Sequence, residues 1–294
     1  MQPILFEPVA SPHRVPFDAS FRIASASTEP PADAPPKSSR AAALEASVQR
    51  LDKLQHKLRA TDRHAVLLVF QALDAAGKDG TIRAVLTGVD PAGCQVFAFK
   101  APSLEELDHD FLWRVQRALP ERGRIGVWNR SHYEDVLVPR VDPRLLEAQR
   151  LPRQPEGEAL WTERYESIRD AELHWARNGL VILKFFLHVS ADEQRRRFLE
   201  RLEDPDDNWK FSPGDLRVRE QRAAYLEAYE VALNATSRPW APWYAIPADS
   251  KSYMRCCVAQ LIVDTLDRLG LAYPRLDAAA NAELDALRAA LRAE

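Results

Sequence analysis

Val66-Leu-Leu-Val-Phe-Gln-Ala-Leu-Asp-Ala-Ala-Gly-Lys-Asp-Gly-Thr-Ile82 decides the fold: an apolar strand feeds a short glycine-lysine turn, and the turn opens a helix. From Ala65 to Phe70 the residues are almost all apolar or β-branched, as in a strand buried on both faces. After Lys78, the residues Ile82, Val85 and Leu86 fall at helical spacing. A turn in this context grips anions. Its successive backbone N–H groups form a nest, the helix N-terminus adds positive potential, and the lysine supplies a mobile cation. The fit to the G-x-x-x-x-G-K-[ST] pattern is imperfect, because Ala72 stands at the first glycine and Asp79 replaces the hydroxyl residue. The alternative is a plain strand-turn-helix connection whose glycines only permit the turn.

Working outward, Leu44, Val48, Leu51, Leu54 and Leu58 repeat at intervals of three and four, which predicts an amphipathic helix over Ala41–Ala60 leading into the strand. Further strands are predicted at Gln95–Phe99, Arg124–Trp128, Val181–Val189 and Trp243–Ile246, with helical patterns between them. Strands alternating with helices imply right-handed βαβ units and a parallel sheet covered on both faces, with ligands at the carboxyl ends of the strands. The Pro-, Ala- and Ser-rich stretch Ser25–Ser39 reads as a flexible arm or an extended strap. The last helix, Asp277–Arg292, is alanine-rich and peripheral. The organisation expected is an N-terminal arm over 1–40 and one domain over 41–294.

With 294 residues and a formal charge of -3, the chain has core enough for one large α/β domain and no general affinity for polyanions, so nucleic acid is not an expected partner. Any cationic surface must be local. Cys94, Cys256 and Cys257 lack metal spacing and read as packing residues, and the seven histidines form no ligand pair, so zinc is not expected. Met1–Pro8 lacks a basic region followed by an apolar one, and no segment approaches the length of a membrane span; the expectation is a cytoplasmic protein without a membrane partner.

Two carboxylates, Asp74 and Asp79, sit in the turn where phosphate oxygens would crowd, and a cation between them resolves the conflict. Mg²⁺ does so, bound through one or two carboxylates plus substrate phosphates. Asp74 is the expected metal residue. For Asp79 a favourable charge on the helix macrodipole is an equal reading. The third strand ends in Trp128-Asn-Arg-Ser-His-Tyr-Glu-Asp135, where Asn129 holds a place that phosphate-loop enzymes usually give to a magnesium-coupled aspartate. The metal then leans on Asp74 or on Glu134 and Asp135, while Arg130 either contacts phosphate bidentately or pairs with Glu134 as an i,i+4 bridge.

Gln194-Arg-Arg-Arg-Phe198, and on through Arg201, Lys210, Arg217, Arg219 and Arg222, is dense in cations and broken by Pro205, Pro213 and Gly214. It suits a lid that closes on phosphates. Glu200, Glu203, Asp204, Asp206, Asp207, Asp215 and Glu220 nearly cancel that charge, so a solvated, salt-bridged hairpin is the reading by composition alone.

Together, Asp74–Ile82, Phe99–Leu107, His109-Asp-Phe-Leu-Trp-Arg114, Asn129–Leu137, Lys184-Phe-Phe-Leu-His188 and Ala241–Asp249 resemble the second polyphosphate kinase family over about Phe21–Leu269. The Asn-Arg-Ser-His-Tyr-Glu-Asp form resembles the single-domain members that phosphorylate nucleoside monophosphates as well as diphosphates; others have Asp-Arg-Ser-Trp-Tyr there. The resemblance implies a three-layer, thymidylate-kinase-like phosphate-loop fold with a central parallel sheet and a helical lid at about 195–222. It implies inorganic polyphosphate as donor, Mg²⁺ (Mn²⁺ as the substitute) as cofactor, and AMP or ADP as acceptor, the base open between adenine and guanine. A homo-oligomer, a tetramer in particular, is implied as well. By position, Asp74, Lys78, Asn129, Arg130 and Glu134 are the expected catalytic residues. Expected phosphate contacts are Ala75, Ala76, Gly77, Lys78, Asp79, Gly80, Thr81, Arg83 and Lys100, and expected lid residues are Arg195, Arg196, Arg201, Lys210, Arg217 and Arg219. Ala72, and Arg222-Ala-Ala224 where a Trp-Asp-Asp run is common, depart from the family pattern. The rivals are an ATP-dependent nucleoside monophosphate kinase on the same fold, which needs a second base pocket rather than a long electropositive channel, and a non-catalytic sensor.

Overall fold

In the computed structural model, residues 6–152, 157–206, 208–210 and 213–294 are described, with the side chains of Lys210, Pro213 and Asp215 outside that description. Five strands, β1 (Ala65–Gln71), β2 (Cys94–Ala98), β3 (Ile125–Asn129), β4 (Leu180–His188) and β5 (Trp243–Pro247), form one sheet in the order β2-β3-β1-β4-β5. Every pairing is parallel. The helices are α1 (Lys37–Thr61), α2 (Lys78–Leu86), α3 (Leu104–Leu107), α4 (Trp113–Gln116), α5 (Glu134–Val141), α6 (Arg144–Glu147), α7 (Glu158–Arg177), α8 (Ala191–Glu203), α9 (Pro213–Glu220), α10 (Arg222–Thr236), α11 (Lys251–Arg268) and α12 (Ala278–Ala293).

The continuous apolar reading of β1 holds: all seven of its residues are buried. Alternation then sorts them. Val66, Leu68 and Phe70 pack with Leu51, Leu54 and Leu58 of α1, Ile82 and Val85 of α2, and Met254, Val258 and Ile262 of α11. Leu67 and Val69 face the other way, into a core with Trp128, Tyr133, Ile168 of α7, Tyr229 of α10 and Trp243. The result is helix, sheet, helix, because parallel strands buried on both faces need cover on both.

The order of the strands positions the site. β1 is flanked by β3 on one side and β4 on the other, so the connections leaving its carboxyl end diverge and open a crevice there. Phe70 pairs with Asn129 in register, and the Arg130 amide donates to the Phe70 carbonyl at 3.0 Å, which brings the ends of β1 and β3 to the same rim.

The N-terminal segment is strapped onto its own chain. The Val15 amide donates to Trp243 O at 2.9 Å, Arg14 bridges Tyr244 antiparallel, and Val9, Val15 and Ile23 are buried. Residues 13–15 therefore cover the open edge of β5. Among the described residues no helix is long and apolar enough to cross a membrane.

Candidate active site

Between β1 and α2 the chain makes a tight turn. Ala75 has φ +62° and Gly77, the helix N-cap, has φ +102°. A Cβ at Gly77 would lie 3.2 Å from Met254 Cε besides adopting a left-handed backbone, so this position requires glycine. The first N–H groups of α2 are left without intrahelical partners, Gly77–Gly80 line the crevice, and Asp79 lies in that first turn.

Lys78 is 9% exposed yet lines the cavity, and its Nζ donates to Ala72 O at 3.0 Å. Burial holds its ammonium below the ordinary lysine value; Asp74, Glu134 and Asp79 pull it back up, and Arg130 adds to the lowering. The Ala72 carbonyl thus parks the ammonium of a lysine that makes no ion pair within 4 Å with a carboxylate among the described residues.

β3 delivers the facing side. Asn129 donates through Nδ2 to Asp79 Oδ1. Arg130, with φ +65°, places Nη2 at 2.9 Å from Asp74 Oδ1 and Nη1 at 3.7 Å from Glu134 Oε2. The i,i+4 pairing of Arg130 with Glu134 is thus present, and the same guanidinium fork also reaches the loop carboxylate Asp74.

The cavity is about 730 Å³ and, among the described residues, is lined by eight cationic side chains, Lys78, Arg83, Lys100, Arg130, Arg197, Arg201, Lys251 and Arg255, against four carboxylates, Asp74, Asp79, Glu200 and Asp204. The local excess of positive charge is what a protein of net charge -3 needs to hold a polyanion. Among the described residues no group of three or more His, Cys, Asp or Glu forms a ready-made metal cage. Asp74 and Asp79 nonetheless bring hard carboxylate oxygens to the cavity wall, which fits a Mg²⁺ that takes one or two protein ligands and the rest from phosphates and water.

Of the expected residues, Asp74, Ala75, Gly77, Lys78, Asp79, Gly80, Arg83, Lys100, Asn129, Arg130 and Arg201 share this cavity. Glu134 stands behind Arg130. Ala76 and Thr81 are fully buried: the Ala76 amide closes a turn on Leu73 O, and the Thr81 amide and hydroxyl both bond Gly77 O. They shape the loop from behind rather than meet the cavity. Arg195 pairs with Asp192, and Arg196 with Glu193 and Glu200, on the outer face of α8. Arg219 donates to Ala191 O at 3.0 Å. Arg217 is exposed and is not among the cavity-lining residues, and the Lys210 side chain lies outside the described residues. The salt-bridged reading of this segment therefore describes Arg195 and Arg196, and the cavity takes Arg197 and Arg201 from it.

Arg197 was not singled out by the sequence reasoning. It is buried, held by Glu193 at 2.7 Å, and donates to Ala76 O at 2.6 Å, Ala75 O at 3.2 Å and Ala248 O at 2.5 Å. By occupying the loop's carbonyls from behind, it helps fix the amides in place. A signal existed: Phe198 is the apolar residue of that run, and Gln194, Arg197 and Arg201 lie on its side of the helix. Lys251 and Arg255 were also missed, because α11 is distant in sequence and reaches the loop only through the fold; a Cβ at Gly80 would lie 3.2 Å from Arg255 Nη2.

The family model for Polyphosphate kinase 2 (PPK2) matches residues 36–270. An ADP-polyphosphate phosphotransferase of Rhodopseudomonas palustris is 53% identical over 246 residues, covering 83% of this chain and 85% of that protein. An AMP/ADP-polyphosphate phosphotransferase of Meiothermus ruber is 47% identical over 243 residues, covering 82% of this chain and 87% of that protein. The crystal structure of Polyphosphate Kinase 2 from Arthrobacter aurescens TC1 superposes with a TM-score of 0.85 at 38% identity, covering 96% of this chain and 98% of that one. On the match along its length and on the phosphate loop that the match contains, the chain belongs to the polyphosphate kinase 2 family.

Proposed function

We propose that the protein transfers the terminal phosphoryl group of inorganic polyphosphate to AMP or ADP, forming ADP or ATP. The observation that carries this reading is the cavity at the carboxyl rim of the sheet, where the Asp74–Gly80 turn and Lys78 meet seven further cationic side chains among the described residues. Its lining holds one aromatic ring among the described residues, Phe99, which is engaged edge-on with Trp128 at 5.5 Å. That composition supports a polymeric anion as donor over ATP, whose base needs a pocket of its own.

A phosphate oxygen of the nucleotide attacks the terminal phosphorus in line, the bridging P–O bond breaks, and the shortened polymer leaves with the electron pair. The attacking oxygen is already anionic, so no general base or protein nucleophile is needed and catalysis rests on alignment and charge. Lys78 leaves Ala72 O to meet the transferring group, Arg130 orients an oxygen pair through its fork, and Arg83, Lys100, Lys251 and Arg255 hold the rest of the chain. Asp74, with Asp79, would hold Mg²⁺, which when bound neutralises charge developing on the phosphates. A cytoplasmic, homo-oligomeric protein belongs to the same reading.

The test is a coupled assay with polyphosphate, Mg²⁺ and either AMP or ADP and no other donor. Appearance of ADP or ATP supports the reading. Turnover that requires ATP and ignores polyphosphate overturns it in favour of an ATP-dependent monophosphate kinase, and nucleotide or polyphosphate binding without turnover favours a sensor.

A further inference from the structure

Gln194 lies one turn before Arg197 on α8, and its side chain is almost completely buried. Its Nε2 donates to Asp74 O at 2.9 Å. Its Oε1 accepts from Arg219 Nη1 at 3.0 Å and from Arg222 Nη1 at 3.3 Å. The orientation of the amide is fixed by chemistry, because a backbone carbonyl only accepts and a guanidinium only donates. Arg219 and Arg222 flank the break between α9 and α10, and each is anchored a second time on the turn that starts α8, Arg219 on Ala191 O at 3.0 Å and Arg222 on Val189 O at 2.6 Å.

One carboxamide therefore joins two separate parts of the chain. On one side is the carbonyl of Asp74, directly before Ala75 with its φ of +62°; on the other is the arginine pair at the hinge of the cationic segment. A displacement of α9 that withdraws Arg219 leaves the buried Oε1 with only the longer contact from Arg222, and an under-satisfied buried acceptor favours movement of the amide. Rotation of the amide releases Asp74 O, and with it the carboxylate that Arg130 holds.

We propose that Gln194 is a positioning residue that couples the α9–α10 hinge to the phosphate loop, so that the loop takes its phosphate-binding shape only while Arg219 and Arg222 are seated. Its kinetic consequence rests on the kinase reading above; its structural consequence does not. The coupling gives Arg219, which is absent from the cavity lining, a route to the site.

Two measurements test it. Gln194→Glu keeps an acceptor for both arginines and cannot donate to Asp74 O, so the hinge stays seated while the loop is released. The expected result is a kcat at least tenfold lower, a KM for polyphosphate within threefold of the parent, and an unchanged melting temperature. A variant that alters KM alone, or leaves kcat intact, overturns the proposal. Independently of any activity, Arg219→Ala in the full chain should speed hydrogen exchange at the Ala76 amide, which bonds Leu73 O at 3.2 Å, by threefold or more. Unchanged exchange there overturns the coupling even where Gln194→Glu fails to fold; faster exchange in a chain that does not use polyphosphate leaves the coupling standing and removes the kinase reading.

Discussion

The Arg130 guanidinium and the Asp74 carboxylate meet at 2.9 Å across the mouth of the phosphate loop, one delivered by β3 and the other by β1. The pair is part-exposed, so solvent weakens it; in the proposed reaction an incoming phosphate takes over Arg130 while Asp74 turns to the metal. The exchange needs a fork that can hold two partners. Arg130→Lys keeps the charge and loses the fork. It should lower kcat/KM about ten- to a hundredfold, on the order of 1.5–3 kcal/mol, the range of a charged hydrogen bond. Steady-state kinetics at saturating acceptor check this, and a kcat/KM within twofold of the parent removes the role.

Lys78 is the cation nearest the transferring group in this reading, and its replacement should be more severe. Lys78→Ala is expected to cost about 3–4 kcal/mol of transition-state stabilisation, that is, 10²–10³ in kcat. Burial lowers its pKa from the free-lysine value of 10.5, so the active, charged form is lost on the alkaline side earlier than an exposed lysine would lose it. A pH–rate profile should show this alkaline fall in the parent and not in the residual activity of the alanine variant.

Asn129 brings an amide to Asp79 where an aspartate would bring a second charge. On the proposed reaction, one carboxylate fewer near the acceptor should let a more anionic or less deeply seated acceptor phosphate bind, giving activity on AMP. Asn129→Asp places two carboxylates against each other at the Asp79 contact and should lower the ratio of AMP to ADP turnover while lowering the Mg²⁺ concentration for half-maximal rate, since the added charge attracts the cation. An unchanged ratio sinks the explanation.

His188, at the end of β4, is buried, and burial lowers its pKa to about 4; Arg222 adds to the lowering, while Asp249 and the backbone at Ala26 oppose it. In the unfolded chain it titrates near 6.5, so between pH 6.5 and 4 the unfolded state binds the extra proton. Stability is therefore full above pH 6.5 and lost on acidification, by up to about 3 kcal/mol for a shift of this size. Asp135, pushed up to about 6 by burial against the pull of Arg114 and Arg164, works in the opposite direction over the same acid range. The quantity to read is thus a difference. Urea unfolding of His188→Gln and of the parent at pH 7 and pH 4.5 should show a shallower acid loss in the variant, and parallel losses would refute the assignment.

How much of this was legible follows from range. β1, the turn and α2 are contiguous, and their apolar run, glycine and helical spacing are local signals, so the strand, the loop and the burial of β1 on both faces follow from the residues themselves. The other strands were placed within a few residues for the same reason. The strap of residues 13–15 on β5 was not legible, since pairing Arg14 with Tyr244 involves no local periodicity. Nor was the division of labour within Arg195-Arg196-Arg197, where three identical residues point to different sides of α8: only contact with the loop separates Arg197 from its salt-bridged neighbours.

Behind the site, Lys184 of β4 is fully buried, with Nζ at 2.7 Å from Glu172 Oε2, 2.8 Å from Tyr133 Oη and 3.0 Å from Thr236 O. Burial lowers the ammonium to about 8 against the pull of Glu172; for Glu172, burial pushes upward and Lys184 prevails, holding the carboxyl below its usual value. Both are charged at pH 7, and all three donor sites of the ammonium are used. Lys184→Met preserves the volume of the stem but strands a carboxylate in the core, and should destabilise the protein by about 3–5 kcal/mol. Replacing both, Lys184→Met with Glu172→Leu, removes the stranded charge and should restore much of that loss, since a buried ion pair contributes little net stability over an apolar pair of similar size. Denaturant unfolding of the two singles and the double closes the cycle. A double variant as unstable as the sum of the singles would mean that the Tyr133 and Thr236 contacts, rather than the pairing of charges, set the stability of this core.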